Sequence, residues 1–130
     1  MKHITLILAS VVLLSAAGCG NAQKPVELGP NPFVTHIFTA DPSAHVWEDG
    51  RLYVYPSHDV APPRGCDLMD GYHVFSTDDM VNWVDHGSPL ALESFSWADD
   101  RAWAAQTIER NGKFYWYICA HSKLSGGMAI

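Results

Sequence analysis

Two stretches of the chain share one pattern, and that pattern constrains the fold more than any other feature. They are "VWEDGRLYVYPSHD" (residues 46–59) and "TIERNGKFYWYICAHS" (residues 107–122). In each, a tight-turn dipeptide ending in Gly50 or Gly112 is followed by alternating aromatic residues, which is typical of a β-hairpin. The two glycines lie about sixty residues apart, a spacing that suggests a repeated β unit with loop insertions. Two unrelated hairpins remain the alternative, because such turns are common.

The rest of the chain also consists of short strands and turns, and no stretch has the pattern of a long helix. Strands are predicted at residues 44–47, 52–55, 72–76, 83–86, 104–109 and 114–120. This pattern predicts an all-β fold, and if the repeated unit is the blade of a β-propeller, closure needs about four to eight such blades. The 130 residues hold one blade and most of a second. We therefore expect the N-terminal fragment of a longer protein, with open sheet edges that make it unstable by itself.

The N-terminus has the pattern of an export signal rather than of folded protein. Residues 1–18 contain Lys2, an apolar run and a stretch of small residues, which predicts a secretory signal peptide. It resembles a bacterial lipoprotein signal, in which Cys19 becomes the lipidated first residue. An ordinary signal cut near Ala17 or Ala22 is the alternative. Residues 19–34 are then the lipidated cysteine and a linker, and the protein is exported to the periplasm or cell surface, held to the membrane only through Cys19.

Composition excludes some partners and leaves others open. The formal net charge is −6 and no basic patch occurs, so nucleic acid is not an expected partner. Aromatic residues make up 12% of the chain, which suits a neutral sugar but also a large core. Export permits disulfides. Cys66 and Cys119 can therefore form one bridge or remain two free thiols.

Metal and nucleophile motifs are missing from the sequence. The histidines lack the close paired spacing of zinc sites, and residues 65–72 lack the spacing of a calcium loop. No nucleophile elbow of the Gly-x-Ser-x-Gly type occurs. We therefore predict neither a metal site nor a cofactor. His58 and His121 hold matching places in the two hairpins, where they either face a central funnel or satisfy polar strand ends.

Four motifs together carry a resemblance to a known family. They are "TADPSAHVW", "GRLYVYPSHD", "FSTDDMVNW" and "AWAAQTIERNGKFYWYICAHS", in this order. They resemble the first two blades of glycoside hydrolase family 43, and the resemblance covers residues 35–130. It implies a five-bladed β-propeller that removes arabinose or xylose from plant-type polysaccharides or oligosaccharides. The resemblance implies no cofactor in this chain and leaves room for a structural calcium in the blades outside it.

The resemblance implies that Asp41, in "DPS", is the general base of an inverting glycosidase. Such enzymes place two carboxyl groups about 6.5–9.5 Å apart, one protonating the leaving oxygen and one activating water. The first strand of a blade lines the central channel, and Pro42 biases Asp41 toward an extended backbone. A purely structural role is the alternative, since Asp before Pro commonly forms a turn.

Other residues are assigned by the same resemblance. Trp103 matches the tryptophan of a "WAP" motif that borders the sugar subsite, although Ala105 replaces the proline. His58 and Asp59, at the end of the second strand, are weaker candidates for substrate contacts. Ser76, Asp78 and Trp83 match a structural motif.

The resemblance also places the other two catalytic carboxylates, an Asp and a general-acid Glu, in the third and fourth blades. This chain alone is therefore expected to be inactive. Glu93, Asp99, Asp100 and Glu109 are expected in solvated loops and turns rather than as replacements. A non-catalytic, carbohydrate-binding surface lipoprotein on the same scaffold is the alternative function, and a lipoprotein that serves assembly without binding sugar is the third.

Overall fold

A computed structural model describes residues 26–28, 31–61, 63 and 65–130, with the backbone alone for residues 26–28 and 66. The predicted signal peptide and Cys19 lie outside these residues. The strands are β1 (Val26–Leu28), β2 (Phe38–Val46), β3 (Leu52–Asp59), β4 (Gly71–Tyr72), β5 (Phe75–Thr77), β6 (Trp83–Asp85), β7 (Leu90–Ala91), β8 (Ala98–Arg110), β9 (Lys113–Ser122) and β10 (Gly127–Ala129). Two 3₁₀ turns, Gly65–Asp67 and Leu92–Ser94, complete the elements. Within this described part, no helix is both long and apolar enough to cross a membrane.

The first sheet is an antiparallel blade whose outer strands are interrupted. Strand β2 pairs with β3, and β3 pairs with β5 along its first half and with β4 along its second half. Strands β4 and β5 are therefore two halves of one strand, broken at His73 and Val74. Strands β6 and β7 continue the sheet outward, and β1 pairs with β6 at the rim. The blade thus has four strand positions and a short fifth strand.

The second sheet repeats this arrangement with β8, β9 and β10 in antiparallel order. Its first strand, β8, lies against β2 and β3 of the first sheet. The Gln106 side-chain amide donates to His45 Nε2 at 3.1 Å, which joins the inner strands β8 and β2 directly. The two sheets are consecutive blades of a β-propeller, as the sequence predicts.

A hydrophobic core joins the two blades. Its buried members are Met69, Tyr72, Ala102, Ala105 and Ile118. Trp116 of β9 packs edge-on against Tyr55 and Tyr72 of blade one, at centroid distances of 5.4 and 5.7 Å. The Tyr72 hydroxyl donates to the Cys119 carbonyl at 3.0 Å, and Cys119 carries a free thiol. Blade two is therefore fixed to blade one by packing and by a buried hydrogen bond.

Of the aromatic residues that alternate along the two hairpins, Tyr55 and Trp116 meet in the buried contact between the blades, whereas three others do not. Phe114, Tyr115 and Tyr117 are exposed. Side chains alternate between the two faces of a strand, so Trp116 faces blade one while its neighbours at 115 and 117 face away.

A second core lies between the middle and outer strands of blade one. Its buried residues are Val54, Phe75 and Trp83. Phe33 stacks on Trp83 at 3.9 Å and meets Phe75 edge-on at 5.6 Å. Because Phe33 and β1 lie inside the segment 19–34 predicted as a linker, the folded part of the chain extends into that segment. The structural role predicted for Trp83 agrees with this burial.

The strands are longer than the sequence pattern indicates. Strand β2 begins six residues before the predicted 44–47, and β8 begins six residues before the predicted 104–109. In both, register shifts interrupt the alternation that would have revealed the strand. The two turns are where they were predicted, with Gly50 at φ 77°, and Asn111 and Gly112 at 57° and 70°.

Gly50→Ala is expected to lower the free energy of unfolding by about 1 kcal/mol, because a side chain at positive φ is strained. A Cβ at Gly50 would meet nothing within 4 Å, so the loss isolates the backbone effect. Gly127→Ala is the matched control, since it also has open space but no positive φ. Urea unfolding measures both, and equal effects of the two substitutions would contradict the turn assignment.

Asp85 ties the segment before β2 to the outer part of blade one. Its carboxylate accepts hydrogen bonds from His36 Nε2 at 2.8 Å, His73 Nε2 at 2.6 Å and the Gly87 amide at 2.7 Å. Burial raises the pKa of Asp85, but the hydrogen bonds from Gly87, His73 and His36 outweigh that effect. The pKa of the carboxyl group is therefore held below its usual range.

This depressed pKa predicts a stability that falls in acid. The contribution of Asp85 is complete above the unfolded pKa of about 3.9 and is lost as the pH falls through the lower, folded value. Asp85→Asn is expected to cost about 2–4 kcal/mol at pH 7 and to flatten this part of the acid dependence. Asp78→Asn is the control, because Asp78 is 69% exposed in its ion pair with Arg51. Urea unfolding at several pH values distinguishes them.

Candidate active site

Asp41 lies in a β-bulge near the start of β2. Ala40 pairs with Ser57 and Ser43 pairs with Tyr55, so two residues, Asp41 and Pro42, lie opposite one. Asp41 has φ 48°, and the extended backbone expected for it is therefore wrong. The extra residue of a bulge must leave the ladder, and Asp tolerates the left-handed region better than most residues. Proline has no amide hydrogen, so Pro42 has no ladder bond to lose there.

Buried groups fix the bulge on the side that faces the core. Ser57, with no exposed surface, donates its hydroxyl to the Ala40 carbonyl at 3.0 Å. Ala40 itself packs against the inter-blade core. Asp41 is exposed, so its carboxylate is available to solvent on a backbone that is fixed on its inner side. Bulges commonly orient side chains next to active sites.

Strand β8 of blade two has a matching irregularity. Arg101 has φ 52°, and the register shifts between Asp100 and Trp103. Trp103 is half-buried and packs against the same inter-blade core as Ala40. The neighbouring inner strands therefore carry Asp41 and Trp103 at the same end of the two blades. The Ala105 that replaces proline is buried in that core.

His58 and Asp59 lie at this end as well. They pair across the sheet with Thr39 and Phe38, just before the Asp41 bulge. His58 Nδ1 donates to Asp70 Oδ1 at 2.6 Å, and Asp59 accepts a bond from the amide of the next residue at 3.1 Å. The structure thus gathers Asp41, His58, Asp59 and Trp103 at one end. Their roles toward a sugar remain predictions.

A second His–Asp pair at the same end was not predicted. His121 Nδ1 donates to Asp99 Oδ1 at 2.7 Å and lies 3.6 Å from Asp100 Oδ1, which also accepts from Arg101 at 2.9 Å. The hydrogen bond that His121 donates to Asp99 raises the pKa of His121 and lowers that of Asp99. His121 and His58 therefore match in place and in partner type. Sequence spacing could not reveal this pair, because strand pairing brings together residues 22 positions apart.

The loop expected for Asp99 and Asp100 is wrong, because β8 already contains both. Glu93 lies exposed in a 3₁₀ turn, and Glu109 accepts a bond from the Gly112 amide at the hairpin turn, as expected. One ligand atom each from Asp99, Asp100 and His121 lies within 4.8 Å of the others. Carboxylates and imidazole suit divalent cations, but these carboxylates already pair with His121 and Arg101.

The two blades define the chain as part of a β-propeller, and its inner strands carry carboxylates, histidines and a tryptophan at one end. A family model described as Glycosyl hydrolases family 43 matches residues 30–130, so the chain belongs to that family. The resemblance found in the sequence motifs is confirmed.

Curated relatives match the chain over part of their own length. Xylosidase/arabinosidase 43A of Humicola insolens is 40% identical in an alignment of 105 positions that covers 71% of this chain and 31% of the relative. A xylosidase/arabinosidase of Bacteroides ovatus is 41% identical over 62% of this chain and 27% of its own length. The chain therefore spans about three tenths of the length of these relatives.

Solved structures agree with this assignment. The β-xylosidase/α-arabinofuranosidase CoXyl43 from a compost metagenome, in complex with xylotriose, has a TM-score of 0.65 at 39% identity. It is matched over 76% of this chain and 32% of its own. A family 43 enzyme of Xanthomonas citri complexed with xylotriose has a TM-score of 0.64 at 41% identity, over 73% of this chain and 28% of its own.

Proposed function

We propose that the chain supplies the first blades and the general base of a glycosidase that hydrolyses xylose- or arabinose-containing saccharides. The observation that carries this proposal is the bulge that presents the exposed Asp41 at the start of the inner strand β2. The names of the relatives and the xylotriose in the related structures support the substrate class.

In the proposed inverting reaction, Asp41 removes a proton from water as the water oxygen attacks the anomeric carbon. The glycosidic oxygen leaves with a proton from a second carboxyl group, about 6.5–9.5 Å away. Asp99 is unsuited to donate that proton, because its hydrogen bond from His121 lowers its pKa. The general acid is therefore expected in the part of the relatives' length that this chain does not span. The 130-residue chain alone is then inactive.

The same end of the blades offers contacts for the sugar. The half-buried indole of Trp103 provides an apolar face for a pentose ring, and His58 and Asp59 provide polar groups for hydroxyls. Asp70 holds the His58 ring through Nδ1. Fixing these side chains before substrate arrives lowers the entropic cost of positioning it.

Export and anchoring are part of the proposal. Residues 1–18 direct secretion, and Cys19 carries a lipid that anchors the enzyme to a membrane facing its polysaccharide. Labelled palmitate tests this point. Wild-type protein is expected to incorporate the label and Cys19→Ala to lose it, whereas labelling of both would refute lipidation at Cys19.

The activity is tested with the complete reading frame that contains this chain. The purified product is assayed on aryl β-xyloside and aryl α-arabinofuranoside, and NMR follows the anomer first released. Turnover with inversion is expected, and the 130-residue chain alone is expected to give none. Binding of xylotriose without turnover would contradict the hydrolase and favour a non-catalytic carbohydrate-binding protein.

A further inference from the structure

A large cavity lies between the two hairpin turns, away from the candidate active site. It has a volume of about 700 Å³. Its walls are the turn regions of β2–β3 and β8–β9. Asp41 is near the start of β2, whereas Trp47 follows the end of that strand, six residues and about 20 Å further on. This hairpin cavity is therefore separate from the site that contains Asp41.

Aromatic side chains form one wall of the hairpin cavity and hold one another in place. The Trp47 indole donates from Nε1 to the Tyr55 hydroxyl at 2.8 Å. His45 stacks on Trp47 at 4.8 Å, and Phe114 of blade two meets Trp47 edge-on at 5.1 Å. Tyr53 lies parallel to Tyr55 at 6.3 Å. The wall is thus built jointly by both blades, and Phe114 is still 60% exposed.

The polar groups of the cavity are carboxylates. Asp49 accepts bonds from the Tyr53 hydroxyl at 2.9 Å and from the Arg51 amide at 3.0 Å. Glu109 accepts from the Gly112 amide. Glu48 is exposed, and no side-chain bond is found for it within the described part of the chain. Among the residues that the structure describes, no lysine or arginine lines the cavity, so an anionic ligand is disfavoured.

We propose that the hairpin cavity is a second saccharide-binding site, which takes a segment of a neutral, hydroxyl-rich oligosaccharide. Aromatic rings offer apolar surface to the C–H face of a sugar ring, and carboxylates accept hydrogen bonds from its hydroxyls. The volume lies within the range of about 300–1,000 Å³ usual for small-ligand sites. The proposal rests on the proposed function only for the identity of the sugar.

Two sites on one chain change how a polymer is held. A polysaccharide bound at the hairpin cavity raises the effective concentration of its other segments at the Asp41 end. A small aryl glycoside cannot reach both sites and gains nothing. The two substrates therefore separate the roles of the two ends.

The test uses the double variant Glu48→Gln/Phe114→Ala in the full-length protein. Its retention in native gels containing soluble neutral xylan is expected to weaken about fivefold to tenfold. Turnover of aryl xyloside is expected to stay unchanged. Val81→Ala is the matched control, since Val81 is 54% exposed in the β5–β6 turn, outside the cavity.

Two outcomes overturn the proposal. One is equal retention of the variant and the wild type. The other is that tetramethylammonium protects the fluorescence of Trp47 from a quencher while xylotriose does not. That result would assign the cavity to organic cations. If the double variant melts at a lower temperature than the wild type, the single variant Glu48→Gln replaces it in the test. The two proposals can also fail separately. If the wild type turns over no aryl glycoside but is retained by xylan, and the variant is not retained, the proposed hydrolase fails and this binding site stands.

Discussion

Asp41→Asn is expected to lower kcat on aryl xyloside by about 10²–10⁴-fold, the contribution typical of a general base. Asparagine has nearly the same shape and also tolerates positive φ, so the bulge is retained while the base is removed. KM is expected to change little, because the substitution removes an interaction made in the transition state. Steady-state kinetics on the full-length protein measures both constants.

The control for Asp41→Asn is Asp78→Asn, which changes an exposed carboxylate of the same blade that pairs with Arg51. It is expected to keep the wild-type kcat. Both variants are expected to melt at the wild-type temperature, because neither carboxylate is buried. Wild-type turnover by a folded Asp41→Asn protein would reduce Asp41 to a turn residue and remove the basis of the catalytic proposal.

Phe75→Ala is expected to destabilise the protein by about 3–5 kcal/mol, the usual cost of removing a buried phenylalanine. Phe75 has no exposed surface, and it contacts Phe33 edge-on at 5.6 Å and His73 by stacking at 4.9 Å. Its removal leaves a cavity between Val54 and Trp83 that the surrounding strands cannot fill. Urea unfolding of the full-length protein measures the loss.

Phe114→Ala is the matched control for Phe75→Ala, because it removes the same side chain from a position that is 60% exposed. Its effect on stability is expected to be below about 1 kcal/mol. A loss of similar size in both variants would mean that the second core of blade one does not stabilise the fold as described.

The hairpins were predictable because their turns are determined locally. Gly50 and Gly112 supply the positive φ that each turn requires, and the dipeptides that contain them are visible in the sequence. The bulges at Asp41 and Arg101 were not predictable. They depend on how β2 and β8 pair with their neighbours, and the residue preceding Pro42 is locally biased the other way.

The candidate site was predictable in part through family motifs, and its supporting contacts were not. Asp41, His58 and Trp103 stand in motifs, whereas the partners of the histidines come from other strands and connections. His58 meets Asp70, and His121 meets Asp99. The contact of Phe33 with Trp83 likewise joins residues 50 positions apart, so nothing in the local pattern indicated that residue 33 was part of the fold.

The pairing of β1 with β6 also determines where a lipid tether would leave the propeller. Six residues lie between Cys19 and Val26, and the seven residue steps from one to the other reach at most about 25 Å. With Cys19 lipidated as proposed, the outer rim of blade one is held within that distance of the membrane. The enzyme would then act on polysaccharide close to the surface that carries it.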